Sequence, residues 1–219
     1  MWVRFPIWDR WGELTRFWIV SETALAAERA RWTSLPVLNP NEIKIIDPSG
    51  KTRFECDLVD YINGLNSYHI LYSMLLMSYI GLVEEHGRNV IEYLVATKGL
   101  DHSNFPGLDA SLPVSNAAED YIKKYNVEHW ATKILESLGW SWSRMKCSKS
   151  AVVEIFSIRN IVSHGLVNFN QTAANRISGV GDACTRWAVG SPVVLDREIF
   201  GDYLHDLREF ARCLANASA

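Results

Sequence analysis

Residues 68–85 read YHILYSMLLMSYIGLVEE, the most apolar run of the chain, and the fold turns on how they are read. From Tyr68 to Val83 the run is about 16 residues, short of the roughly 20 that a bilayer crossing needs, and it closes on Glu84 and Glu85. It also carries His69, Ser73 and Ser78. Ile70, Leu71, Met74, Leu75, Met77, Ile80, Leu82 and Val83 fall on every side of a helix, and a helix apolar all round needs neighbours all round. The run therefore predicts the buried centre of a helical bundle, inside a helical region from Asp57 to Thr97 that a break at Asn63-Gly64 divides. One of the neighbours that such a helix needs could be a second copy of the chain.

Upstream, Trp2, Trp8, Trp11, Trp18 and Trp32 crowd into the first 32 residues, and Glu13 to Trp32 has few breakers, which predicts an N-terminal helix closed by Pro36 and Pro40. Ile43 to Ile46 and Thr52 to Cys56 flank Asp47-Pro48-Ser49-Gly50-Lys51, the signal of a hairpin with a five-residue turn. Residues 1–56 are expected to form an appendage of helix plus hairpin on a helical bundle of residues 57–219. Downstream, residues 99–115 read as a long loop and Asn116 to Leu138 as one or two helices ended by Gly139. Ser148 or Ser150 caps a helix running through Val152, Phe156, Ile158 and Val162 to Gly165, a residue suited to the position just past a helix end. Leu166 to Leu195 reads as irregular, and Asp196 caps the last helix. The sum is a mainly α, up-and-down bundle with a small N-terminal hairpin.

Composition narrows the function. The chain has 219 residues, 48% hydrophobic and 21% charged, which excludes fibrous and disordered classes. With 22 basic against 25 acidic side chains the net charge is -3, so no global field draws the protein to nucleic acid or to an anionic membrane, and any polyanion site must be local. Cys56, Cys147, Cys184 and Cys213 form no C-x-x-C pair and the N-terminus shows no signal-peptide pattern, so free thiols, a cytoplasmic location and no membrane partner are expected. The histidines offer no metal-ligand spacing, G-x-x-x-x-G-K-[ST] and G-x-S-x-G are absent, and Gly179-Val180-Gly181 lacks the third glycine of a dinucleotide loop. No cofactor or metal is implied.

Chemistry is concentrated in Ser157-Ile158-Arg159-Asn160-Ile161-Val162-Ser163-His164-Gly165. At 100° per residue Asn160 and His164 share a helix face, Ser157 lies close to it, and Arg159 stands about 140° round from His164. These groups suit a phosphodiester: His164 to move a proton, Arg159 to neutralise developing charge, Asn160 to hold an oxygen or the imidazole. Immediately upstream, between Tyr121 and Lys149, six basic residues face two acidic ones, and Arg144, Lys146 and Lys149 with Trp140 and Trp142 are candidate RNA contacts.

The Arg159-Asn160-x3-His164 pattern near the end of a bundle helix resembles the R-x4-6-H motif of the HEPN superfamily, helical proteins that include many metal-independent ribonucleases and toxins. The resemblance covers about residues 57–215, though only the motif is specific. It implies an RNA-cleaving hydrolase of the toxin-antitoxin or antiviral kind, with a composite site formed by a homodimer. Glu84 and Glu85 are then candidates for an acidic residue that orients the site. Where some such toxins carry a nucleotide-accepting Tyr two residues after the motif His, this chain has Leu166, so any antitoxin or regulatory partner is expected to act by another route. The rival reading is a non-catalytic helical interaction or nucleotide-binding module.

Overall fold

The computed structural model describes residues 6–36, 39, 42–46, 49, 51, 55–101, 103–181 and 186–217. Pro40, Asp47, Pro48, Gly50 and Thr52 of the expected helix end and hairpin, together with Trp2 and Cys184, lie outside them. The protein is mainly helical, with a single two-stranded sheet among the described residues. Helix α1 (Ile7–Thr33) starts just past Pro6, a residue whose fixed φ suits a helix entry, and ends before Pro36. Strands β1 (Lys44–Ile46) and β2 (Glu55–Asp57) pair antiparallel with Ile45 opposite Cys56, and Lys44 Nζ reaches Asp57 Oδ1 at 2.5 Å across the pair.

Helix α2 (Leu58–Leu65) and helix α3 (Tyr68–Lys98) follow. The break between them lies at Asn66-Ser67, not at Asn63-Gly64, which end inside the last turn of α2. Helix α3 has 31 residues and is the post of the bundle: α1, α4 (Val114–Lys124), α5 (Val127–Ser137), α6 (Lys149–Ser163) and α8 (Arg197–Ala217) all pack on it. Its core residues Leu75, Leu76, Tyr79, Ile80, Val83, Val90, Ile91 and Leu94 are buried. Coverage by the chain itself is incomplete, however: Ile70 is 57% exposed and Met74 is 58% exposed, which leaves one edge of α3 without a neighbour from the same chain among the described residues.

Helix α1 is tied down by long-range contacts. Thr15 and Tyr79 share a hydroxyl hydrogen bond at 2.9 Å, the Tyr72 hydroxyl donates to Glu22 Oε1 at 2.5 Å, and Trp18 meets Phe200 edge-on. Ile7 and Trp11 belong to the same hydrophobic cluster as α3, α6 and α8. On the other side, the seam between α3 and α8 encloses His86, whose Nε2 pairs with the Ala211 carbonyl at 3.2 Å, and burial pushes this imidazole down to about 4.

Two features set up the functional region. Gly87 of α3 lets the Trp130 ring of α5 come so close that a Cβ there would stand 2.9 Å from it. Second, the stretch expected to be irregular holds α7 (Gln171–Ser178), whose Asn170 cap accepts from the Ala173 N–H at 2.9 Å. A buried chain from Trp187 Nε1 to the Tyr203 hydroxyl (2.8 Å) and on to Glu154 Oε1 (2.6 Å) fastens the rest of that stretch to α6 and α8. Helix α8 begins as expected, with Asp196 Oδ1 accepting from the Ile199 N–H at 2.8 Å.

Candidate functional site

Helix α6 is built from both ends inward. At its start Ser148 accepts from the Ala151 N–H at 3.0 Å, satisfying one of the donors a helix leaves open. At its finish Gly165 takes φ +67, a left-handed conformation that costs other residues a Cβ clash. The Gly165 N–H then bonds Val162 O (3.1 Å) and the Leu166 N–H bonds Ile161 O (3.0 Å), the paired bonds of a Schellman end. Val152, Val153, Ile155, Phe156, Ile158 and Ile161 are buried between neighbouring helices, and Ser157, also buried, donates to the Val153 carbonyl at 2.7 Å. The remaining face carries the motif. His164 is the capping residue, exposed where the helix presents its carbonyl end.

Arg159 donates through Nη1 to Asn160 Oδ1 at 3.1 Å and through Nη2 to Glu84 Oε1 of α3. The motif arginine and asparagine are thus one hydrogen-bonded unit, and the acidic residue that holds it comes from the helix on which Glu84 and Glu85 were expected to matter. Glu85 lies a residue away and pairs instead with Arg88 (3.8 Å) and Arg10 (3.9 Å). Because its oxygen is committed to Arg159, Asn160 presents its amide NH2 to anything that approaches.

Two adjoining pockets flank this unit. The larger, about 470 Å³, is lined by Arg159 and Asn160 together with Glu84, Glu85, Arg88, Glu119 and Lys123, over an apolar wall of Ile122, Tyr125, Trp130 and Phe156. The smaller, about 220 Å³, holds His164 with Ser157, Ile161, Leu166 and Asn170. Asn160 and Arg176 line both. Arg159 and His164 therefore face different pockets, as their angular separation on the helix requires, and Asn160 stands between them.

The larger pocket is charged but balanced. Arg88 lies 3.7 Å from Glu119, Lys123 lies 2.5 Å from Glu119, and Arg159 pairs with Glu84. The hydrogen bond from Lys123 holds the Glu119 carboxyl below its ordinary range. Arg176 grips Glu128 of α5 with Nε–Oε1 at 2.9 Å and Nη2–Oε2 at 2.5 Å. Burial pushes the Glu128 carboxyl up, yet the hydrogen bonds and charge of Arg176 outweigh it and hold the group below the usual carboxylate range.

The remaining basic candidates are elsewhere. Lys149 opens α6, about 22 Å along the axis from His164 at 1.5 Å per residue, and Arg144 and Lys146 precede it in the chain; the Lys149 charge is nonetheless felt at Glu128, which it helps to hold ionised. Arg144 lies over the Trp140 ring (5.4 Å) and Lys149 over the Trp142 ring (5.9 Å). Trp142 itself is stacked on Phe210 at 5.7 Å and donates from Nε1 to Thr132, so its ring is packed into the fold on that side and is not a free platform for a base. Sequence reading missed Arg176, Arg88 and Glu119, and counted Lys123 only within the basic run before α6. For Arg176 a signal existed: Asn170 as a cap, then Ala173 and Ile177 four apart, mark a short amphipathic helix with Arg176 on its flank. Among the described residues no three His, Cys, Asp or Glu side chains stand together as a metal-ligand set, and no helix is long and apolar enough to cross a membrane.

Comparison with protein-family models, with curated proteins and with solved structures finds no match to this chain. The likeness to the HEPN superfamily therefore rests on the Arg159, Asn160 and His164 pattern and its setting.

Proposed function

We propose that the protein is a metal-independent endoribonuclease of HEPN type, a cytoplasmic toxin or antiviral effector that works as a homodimer. The observation that carries this reading is the Arg159–Asn160–Glu84 cluster at the mouth of one pocket, with His164 exposed in the next. RNA supplies its own nucleophile. The 2′-hydroxyl proton passes to His164, the 2′-oxygen attacks phosphorus, the bond to the 5′-oxygen breaks, and a proton is delivered to that oxygen, leaving a 2′,3′-cyclic phosphate and a 5′-hydroxyl. Arg159 neutralises the charge that builds on the phosphorane, and the Asn160 amide holds one of its oxygens. One chain brings one such histidine, so base and acid come from two copies. The uncovered edge of α3 at Ile70 and Met74 supports pairing of that kind.

A second reading, a non-catalytic interaction or nucleotide-binding module, is favoured by one observation: every cation lining the larger pocket has a carboxylate partner. A single experiment separates the two. Purified protein is incubated with mixed RNA and with a 2′-deoxy control, with and without EDTA. The ribonuclease reading expects cleavage that survives EDTA, spares the deoxy strand and vanishes in His164→Ala. Activity unchanged in that variant, or none in the native chain, favours the module.

A further inference from the structure

Arg176 is used by nothing above, yet with Asn160 it is one of the two residues that line both pockets. It reaches that position from a different helix, α7, so the saddle between the Arg159 pocket and the His164 pocket is formed by side chains of two elements. Its guanidinium is already oriented. Glu128 takes the Nε hydrogen and one Nη2 hydrogen, which leaves three of the five donors of the planar fork for a ligand. Both partners are only 18% exposed, so water competes weakly for those donors and a charge-assisted bond made there is strong. Arg159 keeps as many donors, having given two to Asn160 and Glu84, but it lines the larger pocket only.

We propose that Arg176 is the phosphate grip of this site: a phosphodiester crossing from one pocket to the other rests on the saddle, held by Arg176 and the Asn160 amide, with the flanking nucleotides seated in the two pockets. The larger pocket takes one flanking nucleotide among its charged groups, and the smaller brings the ribose beside His164. Such a path needs bases splayed to either side of the backbone, so an unpaired strand fits and a duplex does not. This inference rests on the ribonuclease reading for its substrate but concerns binding alone.

The test measures binding of a 2′-O-methyl RNA oligonucleotide, which cannot be cleaved, by fluorescence anisotropy across a salt series, beside cleavage of the unmodified strand. Arg176→Gln should weaken binding by about 10- to 100-fold and flatten the logarithmic salt dependence by about 0.7, the share of one phosphate on a single strand. Glu128→Gln loosens the fork but leaves the cation, so it should cost less and keep the salt slope. Arg176→Lys keeps the charge without the fork and should fall between. Equal losses in the Arg176→Gln and Glu128→Gln variants, or a duplex bound as well as a single strand, would mean that the pair merely staples α7 to α5 and would overturn the proposal. So would native affinity in Arg176→Gln, or no binding by the native chain. Arg176-dependent binding without any cleavage would sink the ribonuclease reading and leave this inference standing.

Discussion

The two ends of α6 carry similar residues to different ends. At the N-terminal end Arg144 and Lys149 lie on Trp140 and Trp142, and the tryptophan nearest the helix is itself stacked on Phe210. At the C-terminal end Arg159 is held by Glu84 of α3, Arg176 of α7 is held by Glu128 of α5, and Asn160 joins the two pockets. At the first end the cation–ring pairs form within one stretch of chain, and its contacts to other helices run through Trp142, to Phe210 and Thr132. The second is a convergence of four helices, and it is there that charged groups are oriented and partly shielded. A dense run of basic residues in sequence is therefore a poorer guide to a site than a sparse set that the fold gathers.

The strongest way to break that contrast is to truncate each end and compare. His164→Ala should lower RNA cleavage by about 100- to 10,000-fold, the range that a histidine acid or base supplies, and Arg159→Ala should do likewise. Both side chains are at least partly exposed, so circular dichroism should report an intact fold. Single-turnover cleavage by Arg144→Ala is the paired control. A loss there as large as in His164→Ala would abolish the distinction between the ends.

A smaller effect is expected at the carboxylate that steers Arg159. The Arg159 and Glu84 side chains are 29% and 31% exposed, so their attraction is screened and contributes little to stability, below about 1 kcal/mol. Its value is in aim. Glu84→Gln should cut cleavage by about tenfold through a misplaced guanidinium, with the melting temperature almost unmoved and Glu84→Asp recovering part of the rate. A large drop in melting temperature would instead make the pair a structural staple.

Much of this architecture was legible. The all-round apolar run at 68–83 pointed to a central helix, Ser148 and Gly165 to the bounds of α6, Asp196 to the start of α8, and each signal is a local one of periodicity or capping. The helix break slipped by a few residues because Asn63 and Gly64, poor helix formers, are retained where packing of α2 on α1 and on the β1–β2 pair outweighs propensity. Helix α7 was missed because eight residues between glycine-bearing stretches carry only two buried side chains, Ala173 and Ile177. At the site, Arg159, Asn160 and His164 could be picked out by spacing and Glu84 by its helix. Arg176 could not be placed beside them, since the partners that meet it lie 48 residues back on α5 and across α6.

The caps of α6 sharpen the comparison on the stability side. Ser148→Ala removes a side-chain acceptor and Gly165→Ala forces a Cβ into a left-handed backbone, each costing about 1 kcal/mol in urea unfolding. Their consequences for function should diverge. The Gly165 variant shifts His164, its neighbour in the chain, and should lose cleavage beyond its loss of stability, whereas the Ser148 variant should cleave normally once folded. Normal cleavage by the Gly165 variant would show that the helix end does not position the histidine.

The smallest expected effect belongs to the basic end. Arg144 and Lys149 each sit over an indole at more than 5 Å, an arrangement that at exposed sites is worth about 0.5–1 kcal/mol. A cation so placed keeps its charge but has little freedom to reach toward a phosphate, and about 22 Å of helix separates Lys149 from His164. The Arg144→Ala, Lys149→Ala double variant should therefore bind the 2′-O-methyl strand within about threefold of native at moderate salt, through the general field alone. Extending the oligonucleotide decides the matter. If a strand long enough to span both ends binds the native chain much more tightly than a short one, and the double variant erases that gain, then the basic end is a second contact on the same polyanion and the two ends act together.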